Sequence, residues 1–248
     1  MTISRLLSFG VALSTVSACV GCGGHFEASS PTPARGLYAG PMSNERLLNL
    51  LVMGDGTYWG IYSTEANDSL VAGLIQGQGR TSGTGFTSLN GRDFNLEGLG
   101  IQNFTLSATF EEMMSIGGTA RYSPSSFVTF MSAYDDDFEL TPALAPISGN
   151  YTGSFASSSG TGSATLSINA AGAITGSGAS GCTFGGTISP RSDGNVFDVS
   201  IRFSGGACAS GLTITTGVGV YDATNKQLTT AVLNGGRTDG AVFVGTKP

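Results

Sequence analysis

A single histidine occurs in the 248 residues, at position 25, ahead of every segment with strand-like patterning. That excludes a Ser-His-Asp or Cys-His centre in a folded domain, and equally a zinc site built on imidazole. Charge is scarce too. Only 11% of residues are charged, less than half the usual share. With a formal net charge of -6 and no basic stripe to neutralise phosphates, nucleic acid is not an expected partner. No G-x-S-x-G elbow and no phosphate-binding G-x-x-x-x-G-K is present, so the common hydrolase and nucleotide-binding signatures are missing.

Glycine, by contrast, is abundant at 39 residues and follows no G-x-y period. Gly, Ser and Thr surround many short apolar runs, which is the pattern of an all-β protein with tight turns. The acidic residues are unevenly spread. Residues 35–140 hold twelve acidic and five basic residues, whereas 141–248 hold four and five.

The first eighteen residues, MTISRLLSFGVALSTVSA, carry one positive residue, Arg5, then a short apolar stretch from Leu6 to Val16. The stretch is too short to cross a bilayer, and small residues follow it, so it reads as a secretory signal. Val16-Ser17-Ala18-Cys19 resembles the lipobox of bacterial lipoproteins. The resemblance implies cleavage before Cys19, diacylglycerol on its sulfur and an acyl chain on the new amino group. Several acyl chains give stable anchoring where one is marginal. Val20 follows rather than Asp, so the outer membrane is the expected destination. Cys22 completes a C-x-x-C spacing, but a lipidated Cys19 cannot cycle as a dithiol or ligate a metal. The Gly, Ser and Pro of residues 19–34 form a tether.

After the tether, strands of about 6 to 10 residues alternate with turn signals. In NVFDVSIRFSGG, Phe197, Val199, Ile201 and Phe203 share one face, as a half-buried antiparallel strand requires. NFTLSATF does the same with Phe104, Leu106, Ala108 and Phe110. GLTITTGVGVYD places Leu212, Ile214, Val218 and Val220 on one apolar face. ERLLNLLVM (45–53) ends in Gly54-Asp55-Gly56, which favours a strand over a helix.

A weak repeat divides the chain. Gly36-Leu37-Tyr38-Ala39-Gly40 matches Gly149-Asn150-Tyr151-Thr152-Gly153, and each opens a run of strands. The expected organisation is a signal over 1–18, a lipidated tether over 19–34, an N-terminal β domain over 35–140 and a C-terminal barrel over 147–248. Eight strand segments in the second unit suggest an up-and-down barrel, with a two-sheet sandwich as the alternative. The fold class is therefore all-β, with two small antiparallel, about eight-stranded barrel or barrel-like domains. A lipobox, a Gly/Ser/Pro tether and Gly-rich units opened by G-x-Y-x-G resemble proteobacterial outer-membrane lipoproteins with transferrin-binding-protein-like barrel domains. That resemblance implies the architecture, and no binding residues are carried over from it.

Several residues are candidates for chemistry. Export makes a disulfide the expected state of Cys182 and Cys208, against a reactive thiol pair with no His or Lys beside it. Gly176 to Gly181 fit G-x-G-x-x-G, but with no helix following they read as a hairpin turn. Asp135-Asp136-Asp137 with Glu139 is the sharpest charged run, and its spacing matches no Ca²⁺ loop. Glu111-Glu112 reads as a charged turn. Tyr38, Tyr58, Trp59, Tyr62 and Tyr151 are expected in barrel cores rather than on a binding face, with Trp59 and Tyr62 on opposite sides of one strand. No cofactor and no metal are implied. The leading expectation is a non-catalytic lipoprotein, held to the membrane by its lipid and binding a protein or small ligand. The alternatives are a small-ligand carrier of the lipocalin kind and a hydrolase built on acidic residues.

Overall fold

The computed structural model describes residues 32–205, 208 and 214–248. Cys19, Cys22, His25, the signal segment and most of the tether lie outside the described residues.

Nine strands form the first unit: β1 (Gly36–Pro41), β2 (Leu47–Val52), β3 (Thr57–Ser63), β4 (Val71–Gln78), β5 (Arg80–Ser82), β6 (Gly85–Asn95), β7 (Gly100–Glu111), β8 (Ser115–Arg121) and β9 (Phe127–Asp135). Pairing is antiparallel throughout. β1 lies between β2 and β9, and the other end of the sheet returns on itself where Gly73 to Gln76 of β4 pair with Asn95 to Arg92 of β6. The short β5 pairs only with the first turn-proximal residues of β6. It is a bent continuation of β4, so the barrel has eight staves.

The second unit is a closed barrel in strict sequence order: β10 (Gly149–Ser157), β11 (Gly160–Ile168), β12 (Ala173–Gly178), β13 (Thr183–Pro190), β14 (Val196–Ser204), β15 (Ile214–Asp222), β16 (Gln227–Asn234) and β17 (Gly240–Thr246). β10 closes against β17. Closure rather than a sandwich leaves no open sheet edge in either unit. Between the barrels, Asp136–Glu139 form a 3-10 turn and Leu144–Ile147 one helical turn, α1. Ile147 is fully buried and belongs to the core of the second barrel, so this proline-containing stretch seals a barrel end as well as joining the units.

The G-x-Y-x-G repeat has a physical meaning. Tyr38 and Tyr151 are both buried, each inside the end of its barrel. The Tyr38 hydroxyl donates to the Ala34 carbonyl at 3.0 Å and the Tyr151 hydroxyl to the Ile147 carbonyl at 2.7 Å. Each ring thereby fastens the segment that enters its own first strand. The last glycine of the motif serves closure. A Cβ on Gly40 would sit 2.1 Å from the Met131 carbonyl oxygen, and one on Gly153 would sit 2.0 Å from that of Val244. Both contacts are with the closing strand, and only a residue without a side chain permits that approach.

Glycine also opens room for aromatic rings. A Cβ at Gly73 would meet the Tyr62 ring at 2.1 Å, and one at Gly77 the Tyr58 hydroxyl at 2.3 Å. These rings lie across the neighbouring strand inside the barrel. In β7, Phe104, Leu106, Ala108 and Phe110 all face the core, as their alternation requires.

β15 departs from its expected orientation. Its apolar face points outward: Ile214 is exposed, while Val218 and Val220 meet the first barrel. Thr215, Gly219 and Tyr221 occupy the buried inner positions. A strand covered on its outer side by a second barrel reverses the usual rule that its more apolar face is the core face.

Candidate ligand groove between the barrels

Trp59, the only tryptophan, sits where the two barrels meet. It projects outward from β3, on the side opposite Tyr62, and packs with Leu51, Met53, Leu74 and Phe94 of the first barrel. Across from them stand Val196, Val218, Ala231, Leu233 and Val242 of the second. Two β surfaces that would otherwise be exposed apolar faces thus cover each other. Polar contacts flank this seam. Arg237, in the turn before β17, donates to the Gln76 carbonyl at 2.7 Å and the Asn90 carbonyl at 3.0 Å. Arg92 reaches the Arg237 carbonyl in return.

The barrels are convex, so their seam does not close along its whole length. It widens into a groove of about 370 Å³, within the range of small-molecule sites and at an inter-domain position where such sites concentrate. Leu51, Trp59, Ile61 and Val71 line one wall and Val218 and Val244 the other. Asp68, Asp135 and Asp222 stand at the groove, and no lysine or arginine lines it among the described residues. None of the three carboxylates has an ion-pair partner among the described residues, where the salt bridges involve only Arg46 and Arg191.

Each acidic residue owes its place to local backbone chemistry. Asp222 ends β15 and accepts from the Thr224 and Asn225 amides at 2.8 and 3.0 Å. Burial works to raise its carboxyl, but these bonds outweigh burial and hold it below the usual carboxylate value. Asp135 ends β9 and caps the 3-10 turn by accepting from the Asp137 amide at 3.0 Å. Asp137 is pushed upward by burial, then by the charges of Asp135, Asp222 and Asp136, which brings the acidic run of the first unit into the field of the second. Asp68 makes no hydrogen bond through its side chain among the described residues. Glu139 accepts from the Tyr134 hydroxyl, so the 135–139 run is divided between capping, an aromatic partner and the groove.

Inside the first barrel lies a buried carboxyl. Asp93 accepts from the Tyr62 hydroxyl at 2.8 Å and the Tyr122 hydroxyl at 2.7 Å. Burial raises its pKa; the Tyr122 and Tyr62 hydrogen bonds and the Arg46 charge oppose the shift without cancelling it. Arg46 lies 5.6 Å from the Tyr62 ring centre and bridges to Glu97 at 2.8 Å and Glu65 at 3.2 Å. The rest of this interior is filled by Tyr38, Tyr58, Phe86, Phe104 and their neighbours.

A second recess, of about 700 Å³, opens at one end of the second barrel. Phe203 packs there against Phe155 and Phe184, at ring separations of 5.9 and 5.8 Å. Beside them Cys182 and Cys208 form a disulfide, with Cα atoms 4.5 Å apart. The expected staple is present, and it joins the segment before β13 to the one after β14.

Among the remaining sequence candidates, Gly176 to Gly181 form the end of β12 and its hairpin turn, and Glu111-Glu112 lie at the β7–β8 turn. Among the described residues no three His, Cys, Asp or Glu side chains converge as metal ligands. Sequence reasoning places Tyr38, Tyr58, Trp59, Tyr62 and Tyr151 in cores; the four tyrosines are found there, but Trp59 faces outward into the seam between the barrels. It misses the groove, because Asp68, Asp135 and Asp222 are far apart in sequence and belong to different units. The available signal was the outward run of Val218 and Val220 together with Trp59 on the face opposite Tyr62.

No protein-family model matches the chain, and no curated protein sequence matches it. Among solved structures, the chain is similar to the isotype 1 transferrin-binding protein B from serogroup B Neisseria meningitidis, at 8% identity, covering 82% of this chain and 66% of that chain, with a TM-score of 0.31. A transferrin-binding protein B double mutant from Haemophilus parasuis matches at 10% identity over 81% of this chain and 65% of that chain, TM-score 0.30. Intact Ap-TbpB, with N and C lobes, matches at 11% identity over 87% of this chain and 67% of that chain, TM-score 0.32. The chain thus spans about two thirds of the length of these structures. Its fold rests on its own strand pairing, which makes it a nearly all-β protein of two closed eight-stranded antiparallel barrels.

Proposed function

We propose that this protein is a non-catalytic binding protein of the bacterial cell envelope. Lipid on Cys19 holds it at the outer membrane, and the groove between its two barrels receives its ligand or partner. The observation that carries this reading is the groove itself: an apolar recess between two domains, bordered by carboxylates without an ion-pair partner and lined by no histidine among the described residues. Two of its three carboxylates, Asp135 and Asp222, are occupied as a cap and a turn acceptor, which suits recognition better than proton transfer. The chain as organised has its anchor at one end and its two domains as a unit beyond a tether of residues 19–34, with domain limits at 35–140 and 147–248.

Leu70 borders the groove and is 51% exposed, whereas Leu89 is 87% exposed on a bulge that does not line it. A photo-crosslinking residue placed at each position in cells tests the reading. Adducts detected by mass at position 70 and absent at 89 are expected. Equal adducts at both positions, or none at 70, contradict it. Cys19→Ser should shift the chain from the membrane to the soluble fraction, and unchanged retention contradicts the anchor.

The recess at the mouth of the second barrel favours a second reading, carriage of a small apolar ligand on Phe155, Phe184 and Phe203. In that case Phe203→Ala abolishes uptake of an apolar dye, while groove substitutions leave it unchanged.

A further inference from the structure

The geometry points to an organic cation as the occupant of the groove: an ammonium-bearing molecule or side chain with an apolar body. This rests on the groove being the binding site and names what it selects. Two features of the walls require opposite properties of one ligand. The floor is apolar, with Leu51, Trp59, Ile61 and Val71 facing Val218 and Val244, and it rewards a hydrocarbon or aromatic body. Around it stand Asp68, Asp135 and Asp222, with no basic side chain in the lining among the described residues.

Three carboxylates near a low-dielectric wall focus a negative potential into the recess and repel anions from it. Trp59, in the lining, adds an aromatic ring of the kind cations prefer. The volume of about 370 Å³ admits a ligand with one aromatic ring and a short chain. Asp222 and Asp135 come from opposite barrels, so a cation between them also bridges the seam. The second unit has a balance of charge near zero and the first is strongly acidic.

Because Trp59 is the sole tryptophan, its fluorescence reports the groove directly. The full chain is titrated with 4-phenylbutylammonium, the neutral 4-phenylbutanol and the anionic 4-phenylbutyrate. The ammonium should bind at least about tenfold more tightly than the alcohol, and the anion should bind most weakly. That preference should shrink in Asp68→Asn, vanish in the Asp68→Asn, Asp135→Asn, Asp222→Asn triple variant, and fall as salt is raised. Asp68 has no side-chain hydrogen bond to lose among the described residues, so its single variant keeps the test valid if the triple variant misfolds. Alcohol binding as tight as ammonium binding, or tighter anion binding, overturns the cation and leaves the groove as a site. No change in Trp59 fluorescence with any of the three also overturns it, and the crosslinking at Leu70 then decides separately whether the groove binds at all.

Discussion

Asp93 is a carboxyl whose surroundings oppose its charge, and that fixes a pH dependence. Its folded pKa lies above the ordinary carboxylate value, so its favourable contribution is complete below the unfolded pKa. The contribution is lost as pH rises through the folded value. Asp93→Asn keeps a hydrogen-bonding side chain between Tyr62 and Tyr122 and cannot ionise. It should therefore be more stable than the parent at neutral pH. The advantage should shrink as pH falls through the folded pKa. Melting temperatures of both chains across the acid-to-neutral range check this, and a constant difference would contradict it. Asp222 has the opposite sign: its folded pKa is depressed, so its stabilisation is present above the unfolded pKa and lost as pH falls. Only the difference between parent and variant isolates Asp93. The paired tyrosines give a second residue-level test. Tyr38→Phe and Tyr151→Phe each leave a buried carbonyl without its donor, and each should cost about 1–2 kcal/mol in denaturant unfolding.

Among the elements, barrel closure depends on the glycines that meet the last strand. Gly153→Val would drive a side chain into the Val244 carbonyl of β17 and should cost about 3 kcal/mol or more, seen as lost soluble yield or a large fall in the unfolding midpoint. The disulfide works on the same barrel. It spans 26 residues and should contribute about 2–4 kcal/mol, so reductant alone should lower the midpoint, and Cys182 should resist maleimide until reduced. Much at this scale was legible from residues. The period-two alternation of Phe197 to Phe203 and of Phe104 to Phe110 marks strands whose inner face is where alternation places it. Turn residues such as Gly54-Asp55-Gly56 mark where strands end. β15 was legible as a strand but not in its orientation, because Val218 and Val220 look like core residues and become seam residues only when a second barrel covers them. Nor could alternation show that Gly40 and Gly153 face a closing strand more than ninety residues away in sequence.

At the scale of the whole molecule, the two barrels share an apolar seam, and the groove exists because that seam is incomplete. Pairwise docking of domains leaves no local trace in a sequence: Asp68, Asp135 and Asp222 read singly as solvated loop residues, and only the packing of β2 to β4 against β15 to β17 brings them to one recess. The barrels lose this seam only when they unfold. Trp59 lies in the seam and the strands of both barrels dominate the far-ultraviolet signal, so the two probes separate the seam from the barrels. The decisive measurement is equilibrium denaturation of the full chain followed by Trp59 fluorescence and by circular dichroism together. The account predicts coincident transitions, with Trp59 becoming exposed as the β signal is lost. A Trp59 transition completed at lower denaturant, with the β signal intact, would mean barrels that separate while folded, and the groove between them would have no fixed walls.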